Sequence, residues 1–273
     1  MSLRVPDSLT ASNSEGYRTS VRLWPGGLSF SGGILSDEGS FFCEETEVDV
    51  TRSPLQTLRD LFREHPFLSY PYAAVRIITS EPNYTIVPEA IYEDEAKERL
   101  YRFTFATPVE TVVAQPLCEL ESVLLFGLRR DMYDFIVQTL PSAHWEHTLA
   151  SLLIGWHERS LRALHAHMYA VVQDRTMDIA CFDRGVLRFV NRFEVENHDD
   201  MMYYLLYVWK QLELDQRNDT LTLSAVASVA FDLKEQLQTY LRDIRVEAIQ
   251  TLYRADDRTA TVGRLTVTPP TNT

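Results

Sequence analysis

The sequence predicts a mixed α/β protein built from two similar halves, each laid out as three meandering strands, a helix and a further strand. Three observations carry that expectation. The βββαβ order occurs twice, near residues 20–79 and again near 168–226. The apolar share, 45% of 273 residues, is enough for a core in each half. No run of about 18 apolar residues suggests a membrane span.

In the first half, Ser20 to Trp24 reads as a short strand, Pro25-Gly26-Gly27 as a turn and Leu28 to Ile34 as the returning strand. Ser36-Asp37-Glu38-Gly39 turns the chain into a third strand, Phe41 to Val50. Ser53 then caps a helix, with Pro54 at the first helical position and Gln56 three residues after the cap. Leu55, Leu58, Leu61 and Phe62 form its apolar face. Pro66 stops it, and Ala73 to Thr79 reads as a buried strand. Further strands are expected over 109–114, 121–127 and 144–150, with a helix over 129–139. The segment Leu152 to Leu164 reads as a helix connecting the halves.

The second half repeats the order. Met168 to Gln173 is a strand, Asp174-Arg175-Thr176 a turn and Met177 to Phe182 the return. Asp183-Arg184-Gly185 turns again, the glycine supplying positive φ, into Val186 to Val195. Asn197 caps a helix to about Glu213, with Asp199 and Asp200 at its positive end. Met201 to Trp209 leaves this helix almost no polar face, so cover on more than one side is expected. Core packing is favoured over a Met-rich binding groove. Leu221 to Val226 is the next strand, Asp232 to Leu241 a helix, and Ile244 to Thr251 a strand or a second helix.

These elements divide the chain into a flexible N-terminal arm (1–17), a first lobe (18–160), a second lobe (161–251) and a C-terminal tail (252–273). The arm is rich in Ser, Asn and Thr; the tail is expected to fray, with 262–267 able to add an edge strand.

Formal net charge is −13, from 39 acidic and 26 basic side chains. That balance opposes a nucleic-acid footprint, which needs a clustered basic face, and attraction to an anionic membrane. Solubility is its simplest consequence. Cys43, Cys118 and Cys181 lie far apart among apolar neighbours, with no CxxC spacing. Buried reduced thiols and a reducing compartment are expected, rather than a disulfide framework. The polar first 17 residues lack a secretory pattern, so a cytoplasmic location is expected.

His144 and His147 have an HxxH spacing, which on a helix would serve a metal. On the strand expected here the odd spacing sends them to opposite faces, and no metal site is expected. The acidic runs at 44–47 and 93–95 read as solvated faces rather than a two-metal nuclease site. No GxSxG, HExxH, GxGxxG or GxxxxGK[ST] pattern occurs, and no nucleophile has an assignable base.

A doubled βββαβ unit linked by a helix resembles the actin-like ATPase architecture, a duplicated ribonuclease-H-like fold. The chain is similar, more narrowly, to an uncharacterised bacterial family (a domain of unknown function) assigned that fold. Residues 20–30, Tyr84-Thr85-Ile86-Val87-Pro88 and 167–193 carry the match, which covers roughly 17–251. The resemblance implies a phosphate cradle in the first hairpin of each half, with an Asp leading into a Gly and Ser/Thr turn. Trp24-Pro25-Gly26-Gly27 keeps glycines but no Asp, hydroxyl or Lys, and Pro25 removes a donor. Asp174-Arg175-Thr176-Met177 keeps Asp and Thr but no Gly. Near Ser224-Ala225-Val226 the implied adenosine-contacting Gly pair is missing.

The resulting expectation is a non-catalytic actin-like-fold protein with a degenerate nucleotide site, no resident cofactor and a protein partner or homo-oligomeric state. The rival is a Mg-dependent ATP-binding protein with a divergent site at Gly26, Gly27, Asp174 and Thr176.

Overall fold

The structure, a computed structural model, describes residues 3–24, 26–48, 51, 53–106, 111–173 and 175–262. The chain forms two compact units, Met1–Ala150 with Arg254–Thr273, and Ser151–Tyr253.

The first unit opens with β1 (Tyr17–Trp24), β2 (Gly27–Ile34) and β3 (Asp37–Glu47), followed by α1 (Pro54–Glu64) and β4 (Ala74–Thr79). An insertion follows: β5 (Tyr84–Pro88), α2 (Lys97–Thr104), β6 (Thr111–Leu117), β7 (Ser122–Leu128) and α3 (Arg130–Thr139). β8 (Ala143–His147) and α4 (Thr148–Ser160) come next. The main sheet has the order β3-β2-β1-β4-β8, and the insertion makes its own sheet, β5-β7-β6. β1, β2 and β3 run antiparallel, whereas β4 lies parallel to β1 and β8 parallel to β4.

Alternation along β1 decides what each sheet face carries. Val21 packs with Leu28 and Phe30 of β2, Leu58, Leu61 and Phe62 of α1, and Ile136 of α3. Ser53 accepts a hydrogen bond from the Gln56 amide at 3.2 Å, so the cap predicted for α1 is formed. The opposite face is polar, with Ser20 opposite Ser31 and Arg22 opposite Ser29.

The second unit repeats the topology. β9 (His167–Gln173), β10 (Thr176–Asp183) and β11 (Val186–Glu194) precede α5 (His198–Gln211), β12 (Thr220–Ala225), α6 (Ala227–Leu237), β13 (Asp243–Ala248) and the start of α7 (Ile249–Val262), whose residues from Arg254 onward belong to the first unit. Its sheet order, β11-β10-β9-β12-β13, matches that of the first sheet position for position. Met168, Ala170, Met177, Ile179, Leu221 and Leu223 pack against Leu205 and Trp209 of α5 and Leu233 of α6. From α4, Trp156 stacks on Tyr169 at 4.8 Å, and Tyr169 on His167 at 4.1 Å. Burial, with help from the Arg245 charge, pushes the His167 imidazole down to about 4, and its Nε2 lies 2.8 Å from the Thr222 hydroxyl.

The structure departs from the sequence-based expectations at several points. The arm predicted over 1–17 is anchored: Leu3 and Leu9 are buried in the first core, and Asn13 ties back to Thr10 and Ser8 at 2.8 and 2.7 Å. Two leucines outweigh the polar composition around them. The tail predicted from 252 instead belongs, as far as Val262, to α7, whose Asp257, Thr261 and Val262 are buried. Residues 263–267 of the optional edge strand lie outside the described residues. The strand predicted over 144–150 ends at His147, where α4 begins. Cys118 is exposed, so only Cys181 is fully buried, with Cys43 intermediate. Burial pushes the Cys43 thiol up to about 11 and the Cys181 thiol to about 12. The helix expected to be covered on more than one side, α5, leaves Tyr203 61% and Tyr207 48% exposed.

A buried charge network fastens α7 to the polar face of the first sheet. Arg22 donates to Asp256 at 2.7 Å and to Asp257 at 2.8 Å. Arg76 of β4 holds Glu146 of β8 through two bonds, 2.9 and 2.7 Å, and approaches Asp256 at 3.4 Å. Burial raises the Asp257 carboxyl above its ordinary value, with Arg22 pulling the other way. Burial also works against the Arg76 charge, but the Glu146 bond and the Asp256 charge outweigh it and raise its pKa. Further along, the Ser36 amide donates to the Val262 carbonyl at 2.9 Å. Among the described residues no helix is long and apolar enough to cross a membrane.

Candidate functional site

Parallel strands beside an antiparallel hairpin create a recess beyond their carboxyl ends, where open α/β sheets commonly hold ligands. In the first unit that recess is a cavity of about 400 Å³. The end of β1 supplies Leu23 and Trp24, the hairpin tip Gly26 and Gly27, and β2 Leu28. The first turns of α1 add Pro54, Thr57, Leu58 and Leu61, and α3 contributes Met132, with Arg129 just before it. Thr79, Ser80, Glu81 and Pro82 close the side that follows β4.

The chemistry of this wall is mostly apolar, and its Arg129, Thr79, Ser80 and Glu81 side chains already have partners. Arg129 holds Asp131 through two bonds, 3.1 and 2.6 Å. The Thr79 hydroxyl donates to Glu81 at 3.1 Å, and Ser80 shares a hydrogen bond with Thr148 at 2.9 Å.

The hairpin tips are tight. Trp24 pairs with Gly27 and Gln173 with Thr176, so two positions separate the strands in each hairpin. Gly26 has φ +87°, a conformation that favours glycine. At Gly27 the indole of Trp24 lies so close that an added Cβ would stand 2.3 Å from its Cε2 atom. The absent side chain therefore admits the indole to the backbone. Thr176, in the second unit, donates its hydroxyl to the Gln173 carbonyl at 3.0 Å, across its own turn.

Of the four residues singled out from the sequence, Gly26 and Gly27 share the first-unit cavity, Thr176 stands at the second-unit tip, and Asp174 lies outside the described residues. Ser224 and Ala225 end β12 in a buried position, and Val226 leads into α6. His144 and His147 point to opposite faces of β8. His144 is exposed, whereas His147 is buried, accepts from the Leu149 amide at 3.2 Å and reaches the Glu81 carbonyl at 2.9 Å. Sequence reasoning missed Trp24, the 79–82 segment, Arg129 and Met132 as cavity walls. Only Trp24, adjoining the glycine turn, carried a local signal.

Two five-stranded mixed sheets with one shared strand order, each closed by a helix between its third and fourth strands, define the actin-like ATPase fold. A Bacteroides thetaiotaomicron protein with that fold and unknown function is similar at 30% identity, covering 88% of this chain and 93% of that one, with a TM-score of 0.79. The PilM–PilN type IV pilus biogenesis complex matches at 9% identity over 90% of this chain and 94% of the other, with a TM-score of 0.50, a likeness of fold alone. Residues 6–244 match the model of a family described as a protein of unknown function (DUF3822), and the chain belongs to that family. No curated protein matches the sequence.

Proposed function

We propose that this protein is a non-catalytic actin-like-fold protein that acts through protein–protein interaction, its first-unit cavity receiving apolar side chains of a partner. The observation that carries the reading is the Trp24 indole seated on Gly27, at the tip where the fold's active members grip phosphate. With the indole there, the recess is walled by Leu23, Leu28, Leu58, Leu61 and Met132, a surface suited to aliphatic or aromatic groups rather than to a triphosphate. Anchors of that kind, buried in a pocket, dominate binding energy at protein interfaces.

The test is a photo-crosslinking amino acid placed at Met132, in the cavity wall, in the full-length protein in its native cell. A discrete covalent adduct with a second polypeptide, absent when the same group replaces exposed Glu98, is the expected result. Equal labelling at both positions, or none at Met132, overturns the proposal.

A further inference from the structure

A free sheet edge presents unpaired N–H and C=O groups, and proteins blunt such edges with charge, proline or short strands. Most of the edges here are blunted. β3 carries Asp37, Glu38, Glu44, Glu45 and Glu47; β6 contains Pro116, β5 ends at Pro88, and β8 has five residues. β13 is a short strand of six residues, three of them charged. β11 differs. It has nine residues (VLRFVNRFE), a third of them charged but of both signs, without proline, glycine or lysine, and among the described residues it pairs only with β10.

An aromatic ladder runs alongside that edge. Phe189 stacks with Phe193 at 6.4 Å and Phe193 with Tyr204 of α5 at 4.5 Å. Tyr204 meets Tyr203 at 5.3 Å, and Tyr203 stacks on Tyr207 at 5.8 Å. The ladder thus leads from the half-buried edge strand to the two exposed tyrosines.

The edge is also self-complementary. In an antiparallel pair of two β11 strands centred on Asn191, Arg188 of each copy faces Glu194 of the other and Phe189 faces Phe193. Val190 faces Arg192. Opposite charges and aromatic pairs directly across from one another are the stabilising cross-strand combinations. Centring on Val190 would instead set Arg188 against Arg192, a like-charge clash. Arg188 is available for the first arrangement: it is exposed, and its present partner Asp183 lies 3.8 Å away.

We infer that a second copy of this chain docks on β11, the two strands pairing antiparallel about Asn191 to form a two-fold dimer with a continuous ten-stranded sheet. This interface lies wholly on the second unit and does not depend on the cavity of the first.

Sedimentation of the full-length protein over a concentration series tests it. The expected result is a reversible monomer–dimer equilibrium. Asn191→Lys, which sets two ammonium groups against each other, abolishes the dimer. Arg188→Glu and Glu194→Arg each raise the dissociation constant about tenfold, and the double swap restores it. All three positions are exposed, and melting curves recorded below the dissociation constant, where every variant is monomeric, verify folding. As a second measurement, Asn191→Cys in a Cys118→Ser background is expected to form a disulfide between copies under mild oxidation. A monomer at every concentration overturns the inference. So does a dimer indifferent to Asn191→Lys, a double swap that fails to restore association, or an Asn191→Cys protein that forms no inter-copy disulfide.

Discussion

Replacing Arg22 with Met is expected to lower the stability of the first unit by about 3–5 kcal/mol at neutral pH, the range for removing one partner of a buried ion pair. The size follows from what is left behind. Asp257 is 1% exposed and Arg22 is the cation bonded to it at 2.8 Å; Asp256 loses its 2.7 Å bond as well. Burial already holds the Asp257 carboxyl above its ordinary value with Arg22 in place, so without Arg22 it rises further. A carboxyl with a raised folded-state pKa binds more protons folded than unfolded. Its contribution is therefore full below the ordinary carboxylate range and is lost as pH rises through the raised value. The Arg22→Met deficit should shrink on acidification toward the ordinary carboxylate range, and Arg22→Met with Asp257→Asn should recover part of it at neutral pH. Urea titrations at the two pH values, with hydrogen exchange along 254–262 as the local readout, provide the measurement. A deficit independent of pH would contradict the assignment.

Gly27→Ala carries the second large effect. A Cβ there meets Cε2 of Trp24 at 2.3 Å and its Nε1 at 2.4 Å, so the indole must leave its seat. Overpacking of this kind costs about 1–3 kcal/mol. The displaced ring should move toward water, red-shifting tryptophan emission. Because the strain lies between two side chains, Trp24→Ala should abolish the further cost of Gly27→Ala. Additivity of the two substitutions in a double-mutant cycle would show that Gly27 is required for some other reason.

The sequence made the doubled topology legible because short-range chemistry determines it. The turn sequences ahead of Leu28 and Val186 and the Ser53 and Asn197 caps are local signals. What stayed hidden depends on pairs distant in sequence. Asp256 and Asp257 look like a solvated acidic pair until Arg22, more than 230 residues away, is placed beside them. Leu3 and Leu9 sit in a polar run and reveal their burial only against a core built from α1, β1 and β2. α6 begins at Ala227, ahead of the expected Asp232, because its N-cap, Val226, offers no side-chain cap to mark the start. At the candidate site, the two glycines suggested a phosphate turn, whereas their role became visible only through the Trp24 ring lying on Gly27. The cavity walls from α3 and from the segment after β4 converge through tertiary packing, which no spacing rule encodes.

Titration of the full-length protein with Mg-ATP, followed by thermal unfolding and calorimetry, tests the central claim most directly. With the Trp24 indole seated on Gly27 in the wall of the recess and the lining largely apolar, millimolar nucleotide should leave the melting temperature unchanged and release no binding heat. A ligand present at a hundredfold excess over its Kd raises stability by about 2.7 kcal/mol, a shift of several degrees. Saturable heat together with such a shift, lost on substitution of Gly26 or Thr176, would contradict the account.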